Sequence, residues 1–152
     1  MKKQLVSILL TLCMVIGLFP TTALAAEDSA GDNKTVTTYE VSNDTELSNA
    51  LTQIAASTDT TDTEATIVLK DNVTAPSTPE STSVTSFGVA GKHITVKSLD
   101  DEMKNISFAG RGILTGDCTF DNVNVTGSRL FCNGYRTIFT ENGQIHLRET
   151  LY

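Results

Sequence analysis

The stretch from Lys92 to Leu147 constrains the fold more than any other part of the chain. It is a string of short apolar runs: His93-Ile94-Thr95-Val96, Ile106-Ser107-Phe108, Ile113-Leu114, Cys118-Thr119-Phe120, Val123-Asn124-Val125, Leu130-Phe131, Ile138-Phe139 and Ile145-His146-Leu147. Several alternate apolar with polar residues, which is the period of a strand with one buried face. None is long enough for a helix. Gly110, Gly112, Gly116, Gly127, Gly134 and Gly143 fall between the runs. The pattern predicts an all-β stack of short strands, either coiled or closed into a small β-sandwich.

The N-terminus has a different logic. Met1-Lys2-Lys3 is basic, Leu5 to Phe19 is apolar apart from Ser7, Thr11 and Gly17, and Ala23-Leu24-Ala25 supplies small residues after Pro20. These are the parts of a secretory signal peptide over residues 1–25, with cleavage expected after Ala25. The apolar run is too short to span about 30 Å of hydrocarbon comfortably, so it is read as a signal and not an anchor. Cys13 follows Leu12 rather than a small residue, which does not suit lipidation. Cleavage removes Lys2 and Lys3 and no acid, leaving 9 basic against 18 acidic residues, so the charge moves from -7 to -9. Such an acidic balance argues against phosphate-backbone recognition, so no nucleic acid is expected as partner. It equally argues against electrostatic attachment to anionic lipid, so no membrane contact is expected of the mature form.

The remaining 127 residues amount to one domain or part of one. Residues 26–34 are a polar leader with too little apolar surface to order itself. Thr35 to Val41 reads as the first strand. Asn43 and Glu46 stand at N-cap and N3 spacing. Leu47, Ala50, Leu51, Ile54 and Ala55 then recur on one helical face, predicting a helix over 43–56. Ser57 to Thr63 is a polar loop. Ala65 to Leu69 is a strand whose Ile67-Val68-Leu69 run predicts burial on both faces. Asn72 to Ser86, with Pro76, Pro79 and many Ser and Thr residues, reads as a loop. Phe87 to Ala90 is expected to rejoin the stack.

A strand, the helix "TELSNALTQIAAS", the strand "TIVLKDNVT" and then the phrases "GKHITVKS", "CTFDNVNVTG" and "LFCNGYRTIFTENGQIHL" resemble the start of a right-handed parallel β-helix. The pattern is similar to the pectate-lyase-like solenoids of exported and surface proteins of Gram-positive gut bacteria. It covers Thr35 to Leu147. The resemblance implies a β-helix domain over 35–152, its N-terminal part, with the helix capping the first rung. A one-faced helix placed there has a physical reason, since the first rung exposes an apolar end and unpaired edge groups. Rung lengths are uneven, and Asn142-Gly143 is a two-residue hairpin signal, so the sandwich stays open as an alternative.

Candidate chemistry is sparse. Asp117 and Asp121 flank Cys118-Thr119-Phe120, and Arg111 lies upstream. Some lyases of the resembled fold use calcium-binding acids and an arginine base, but no family motif surrounds these positions and no catalytic role is assigned to them. Residues i and i+4 of a strand share a face about 13 Å apart, too far for one ion to bridge. His93 and His146 lack metal-ligand spacing, and no nucleophile elbow is present. No catalytic residue, metal or cofactor is therefore assigned. Cys118 and Cys132 could stack in neighbouring rungs and pair, or serve as two small buried hydrophobes. Asn105, Asn122, Asn124, Asn133 and Asn142 fall near strand ends, where asparagine tolerates left-handed backbone and can form amide ladders. Asn33, Asn43, Asn72, Asn105 and Asn124 match N-x-S/T, read as incidental in a Thr-rich sequence.

These readings lead to an exported or wall-associated surface module that binds or displays without catalysis, with a polysaccharide or a host or wall surface as partner. The alternatives are an N-terminal fragment of a polysaccharide lyase or glycosidase, and a structural spacer of a wall-associated protein. Strand pattern running to Leu147 and an apolar Leu151-Tyr152 end also lead to the expectation of self-association through an uncapped C-terminal rung.

Overall fold

The computed structural model describes residues 36–57, 63–78 and 80–151, with side chains through Arg148. Residues 1–35, on which the signal-peptide and polar-leader readings fall, the tip of the Ser57–Thr63 loop, Pro79 and Tyr152 lie outside the described residues. The described residues are mostly β, with 57% strand against 12% helix, and their strands form two sheets without closing a barrel.

The first sheet has the order β1 (Thr37–Val41), β2 (Glu64–Leu69), β6 (His93–Ser98), β8 (Asp117–Asp121), β10 (Thr137–Phe139). The second has the order β11 (Gln144–Leu151), β9 (Val123–Phe131), β7 (Lys104–Leu114), β5 (Ser81–Phe87), β4 (Ser77–Thr78). A short β3 (Val73–Thr74) pairs with β7 off this path. From β6 onward the chain alternates between sheets, so each strand pairs in parallel with the strand two positions on. Only β4 and β5 pair antiparallel among the described residues.

Two expectations are corrected here. Asn72 to Ser86 is not a loop but holds β3, β4 and most of β5. Pairing with β7 decides this, since a strand edge satisfies the backbone of a Ser/Thr segment whose own propensity is weak. Asn142-Gly143 does not close a hairpin. β10 pairs with β8 and β11 with β9, both parallel, because the flanking apolar residues face the interior only in that register. The antiparallel pairing of a small sandwich is likewise confined to β4 and β5.

Register aligns like with like. Tyr39, Ile67, Val96, Phe120 and Phe139 form one inward row across the first sheet. Val73, Ile106, Val125 and Ile145 form another across the second. Between the sheets Phe120 stacks on Phe139, with centroids 5.3 Å apart, and Phe87 meets Phe120 at 6.1 Å and Phe108 edge-on at 6.4 Å. Both Val68 and Leu69 are buried, as the apolar run of β2 predicts.

Helix α1 (Asp44–Ala56) begins where its cap allows. The Asn43 Oδ1 accepts from the Glu46 N–H at 3.0 Å, and Glu46 Oε2 reaches back to the Ser42 N–H at 2.7 Å. The reciprocal bond therefore lies one residue earlier than in the usual capping box. Leu47, Ala50, Leu51 and Ile54 are buried in the core, and the helix packs on β1 and β3, the N-terminal ends of both sheets.

Thr85 is a local defect in this core. It is 0% exposed, and its hydroxyl has no hydrogen-bond partner. A buried unsatisfied hydroxyl costs about 1–3 kcal/mol, and valine has the same shape without it. Thr85→Val is therefore expected to raise the melting temperature. An unchanged or lower value in a thermal melt would show that the hydroxyl is satisfied in solution.

Candidate functional site

Outward positions follow the same register and collect polar side chains into rows. On the first sheet Thr38, Thr66, Thr95 and Thr119 are successive Cα partners. Two residues toward the strand starts, on the same face, Glu64, His93 and Asp117 are partners on β2, β6 and β8. Arg136 extends this row, since its carbonyl accepts from the Cys118 N–H and its own N–H donates to Asp117 Oδ1, both at 2.9 Å. The row thus alternates carboxylate, imidazole, carboxylate and guanidinium at strand spacings of about 4.8 Å.

This row forms one wall of a cleft of about 380 Å³, to which Lys92 and Tyr135 also contribute. Two tight turns set its shape. Cys132 to Tyr135 closes with a 2.9 Å backbone bond from the Tyr135 N–H to the Cys132 carbonyl. Asn133 and Gly134 both have positive φ, 51° and 81°, as a type I′ turn requires. The Asn-Gly signal that works is therefore this one, and it delivers Tyr135 to the cleft instead of making a hairpin. On the opposite side Gly116 lies against the turn preceding Lys92. A Cβ there would sit 2.2 Å from the Val89 carbonyl oxygen, so only glycine lets the two segments touch.

Asp117 and Asp121 share the outward face of β8, as the strand period predicts. Asp117 belongs to the cleft, whereas Asp121 accepts from Thr140 Oγ1 at 2.6 Å. Arg111 is not with them; it lies on β7 of the second sheet, its guanidinium 5.7 Å from the centre of the Phe131 ring. His93 and His146 are also separated between the sheets. His93 Nε2 is 2.8 Å from Thr119 Oγ1, and His146 Nδ1 is 2.7 Å from Asn124 Oδ1. No three His, Cys, Asp or Glu side chains are gathered for a metal ion among the described residues.

Of the five asparagines expected near strand ends, Asn105 and Asn124 form an amide ladder, and Asn72, outside that set, joins it. Asn72 Oδ1 accepts from both the backbone N–H and the Nδ2 of Asn105, at 2.8 and 2.9 Å. Asn105 Oδ1 then accepts from Asn124 Nδ2 at 2.6 Å, and Asn124 Oδ1 faces His146. Asn72 joins because Val73 pairs with Ile106, a link across the segment read as a loop. Asn122 and Asn133 instead take the left-handed backbone, each at φ 51°.

Cys118 and Cys132 are free thiols, the first buried and the second half-buried. Of the two readings left open, the structure holds them as small hydrophobes against the core. Burial first, then Asp117 and Cys132, pushes the Cys118 thiol up to about 12. It stays protonated and unreactive at neutral pH.

A second concavity of about 490 Å³ lies on the second sheet, lined by Ser107, Gly110, Thr126, Ser128, His146 and Arg148 among others. No helix among the described residues is long and apolar enough to cross a membrane. Family models, curated proteins and solved structures offer no match to this chain.

Proposed function

We propose that the chain is an exported, non-catalytic binding and display module, built as a right-handed parallel β-helix of the pectate-lyase-like kind, that takes glycan in the cleft beside Tyr135. The solenoid reading draws its support from the parallel pairing of each strand with the strand two positions on, from like residues stacked in rows, and from the helix across the N-terminal ends of both sheets. Export draws its support from Lys2-Lys3, the Leu5–Phe19 run and Ala23-Leu24-Ala25.

The observation that carries glycan binding is the composition of the cleft. Tyr135 brings an aromatic face and a hydroxyl, while Glu64 and Asp117 bring carboxylates two strands apart. Sugar hydroxyls donate to carboxylates, and the C–H face of a sugar ring packs on an aromatic ring. Arg136 and Lys92 supply donors for ring and hydroxyl oxygens. Such a mix of one apolar platform and a few placed polar groups is what fixes a small ligand.

Binding of the purified protein to a panel of neutral and acidic oligosaccharides tests this. Tyr135→Ala is expected to weaken the best ligand about tenfold, equal to about 1.4 kcal/mol. Equal affinity in that variant would remove the cleft as the site, and no binding to any sugar would leave the spacer reading.

A glycosidase is the second reading, and one observation favours it. Glu64 and Asp117 stand in one outward row on either side of His93, the pair of carboxyl groups that such chemistry requires. Release of new reducing ends that is lost in Asp117→Asn while binding persists would establish it over the binding module.

A further inference from the structure

One backbone N–H sets the tautomer of a histidine two strands away. The N–H of Asn105 on β7 donates to Asn72 Oδ1 at 2.8 Å, and a backbone N–H can only donate, so that atom is the amide oxygen. Asn105 Nδ2 donates to the same oxygen at 2.9 Å, which leaves the Asn105 Oδ1 for β9. Asn124 Nδ2 donates to it at 2.6 Å, so Asn124 Oδ1 is the atom 2.7 Å from His146 Nδ1 on β11. An amide oxygen can only accept. The neutral imidazole of His146 therefore carries its proton on Nδ1 and keeps Nε2 as an acceptor.

His146 lines the 490 Å³ groove of the second sheet. Thr126 and Ser107 are the next Cα partners along its row, at strand spacings of about 4.8 Å, and both line the groove. Two bulges shape the other side. Between Phe108 and Arg111 of β7, and between Leu147 and Thr150 of β11, two residues oppose one, and in both cases that one is Ser128 of β9. Bulges re-aim the side chains around them. Gly110 permits the first, with φ +64° and a Cβ that would sit 2.3 Å from the Ser83 carbonyl oxygen. Arg148 stands in the second, exposed, and lines the groove with Ser128. None of the described residues lining the groove is acidic.

We propose that this groove is a sugar site, taking a neutral pyranoside through a pair of neighbouring hydroxyls. The lining sorts ligands by hydrogen-bond type. Arg148 can only donate, His146 Nε2 in the neutral ring can only accept, and Ser107, Thr126 and Ser128 do both. A bare oxyanion satisfies the arginine but has no proton for Nε2. A hydroxyl pair serves both, one oxygen accepting from the guanidinium and its neighbour donating to the imidazole. The volume lies within the range of small-ligand sites. The site stands on the second sheet, apart from the Tyr135 cleft on the first, and binding there does not depend on that cleft.

The test is nitrogen NMR of the whole protein at mildly alkaline pH, titrated with methyl glucoside, methyl galactoside and methyl mannoside, and with sodium sulfate for comparison. Before any addition, the His146 ring is expected to show a protonated Nδ1 and a bare Nε2. At least one glycoside is expected to shift the His146 Nε2 and Arg148 Nε signals to saturation, and sulfate is expected to leave Nε2 in place. Asn124→Ala removes the last link of the ladder and is expected to admit the Nε2–H form and weaken that glycoside. Arg148→Ala and His146→Ala are each expected to lower its affinity about tenfold. Tyr135→Ala is expected to leave the shifts unchanged, which separates this site from the cleft. Melting temperatures equal to wild type show that the variants are folded; where one melts lower, the tautomer and shifts of the wild type decide. A protonated Nε2 in the wild type, no shift of Nε2 with any glycoside, a larger shift with sulfate, full affinity in folded Arg148→Ala, or loss of the shifts in Tyr135→Ala would overturn the proposal.

Discussion

Truncation of Phe120 to alanine is expected to cost about 3–5 kcal/mol of folding stability, the largest loss for any single side-chain deletion in the first sheet. Phe120 is 0% exposed and touches rings of both sheets: Phe139 from β10 in its own sheet, Phe87 from β5 in the other. Its removal leaves a void between two faces that are each fixed by backbone ladders and cannot collapse inward. A melt or urea titration measures this. Phe139→Ala, at a half-buried edge position, is expected to cost clearly less, because the site can relax toward solvent. Equal losses at both positions would mean that the interior between the sheets is more yielding than the stacked rings imply.

Leu47→Asp is expected to destabilise the protein by several kcal/mol, or to prevent folding, because it forces a carboxylate into the contact between α1 and the strand ends. Leu47 is 0% exposed, on a helix whose packing partners are β1 and β3. The effect is one of burial and not of helix chemistry, so Gln53→Glu on the exposed face of the same helix is the control. That change is expected to shift stability by about 0.5 kcal/mol or less. If Leu47→Asp melts with the wild type, α1 does not cover the core and the N-terminal ends of the sheets are closed by something else.

The candidate sites show where sequence reading stops. Asp117, His93 and Tyr135 lie in separate segments, and nothing in their spacing gathers them. What gathers them is register: Glu64 opposite His93, His93 opposite Asp117. The same holds for Arg111, read first beside the two aspartates and found on the other sheet beside Arg129. A partial signal was available. Glu64, His93 and Asp117 each stand immediately before an inward apolar residue, namely Ala65, Ile94 and Cys118, so aligning the apolar runs would have aligned the charges. The Asn-Gly turn at 133–134 carried the same dipeptide signal as 142–143, and only the strands on either side distinguish their uses.

Local chemistry by itself determined the helix and the strands with strong alternation. Helix α1 follows from a cap at Asn43 and a 3.6-residue apolar repeat, both contained within one turn or two of chain. β6 and β8 follow from period-two burial and β2 from its continuous apolar run, and Asn122 and Asn133 take the left-handed backbone that asparagine tolerates best. Strand partners were decided only by the tertiary structure. A parallel ladder joins residues about 20 to 30 positions apart, as with Val73 and Ile106 or Ile94 and Cys118, and no local propensity encodes that distance. The Ser/Thr-rich strands β3 to β5 exist because β7 offers an edge, and the rows of asparagine, threonine and arginine exist because parallel pairing stacks whatever the outward positions hold. A side chain's residue type is local, but its neighbour across a ladder is set by burying the apolar rows, which is a free energy of the whole molecule.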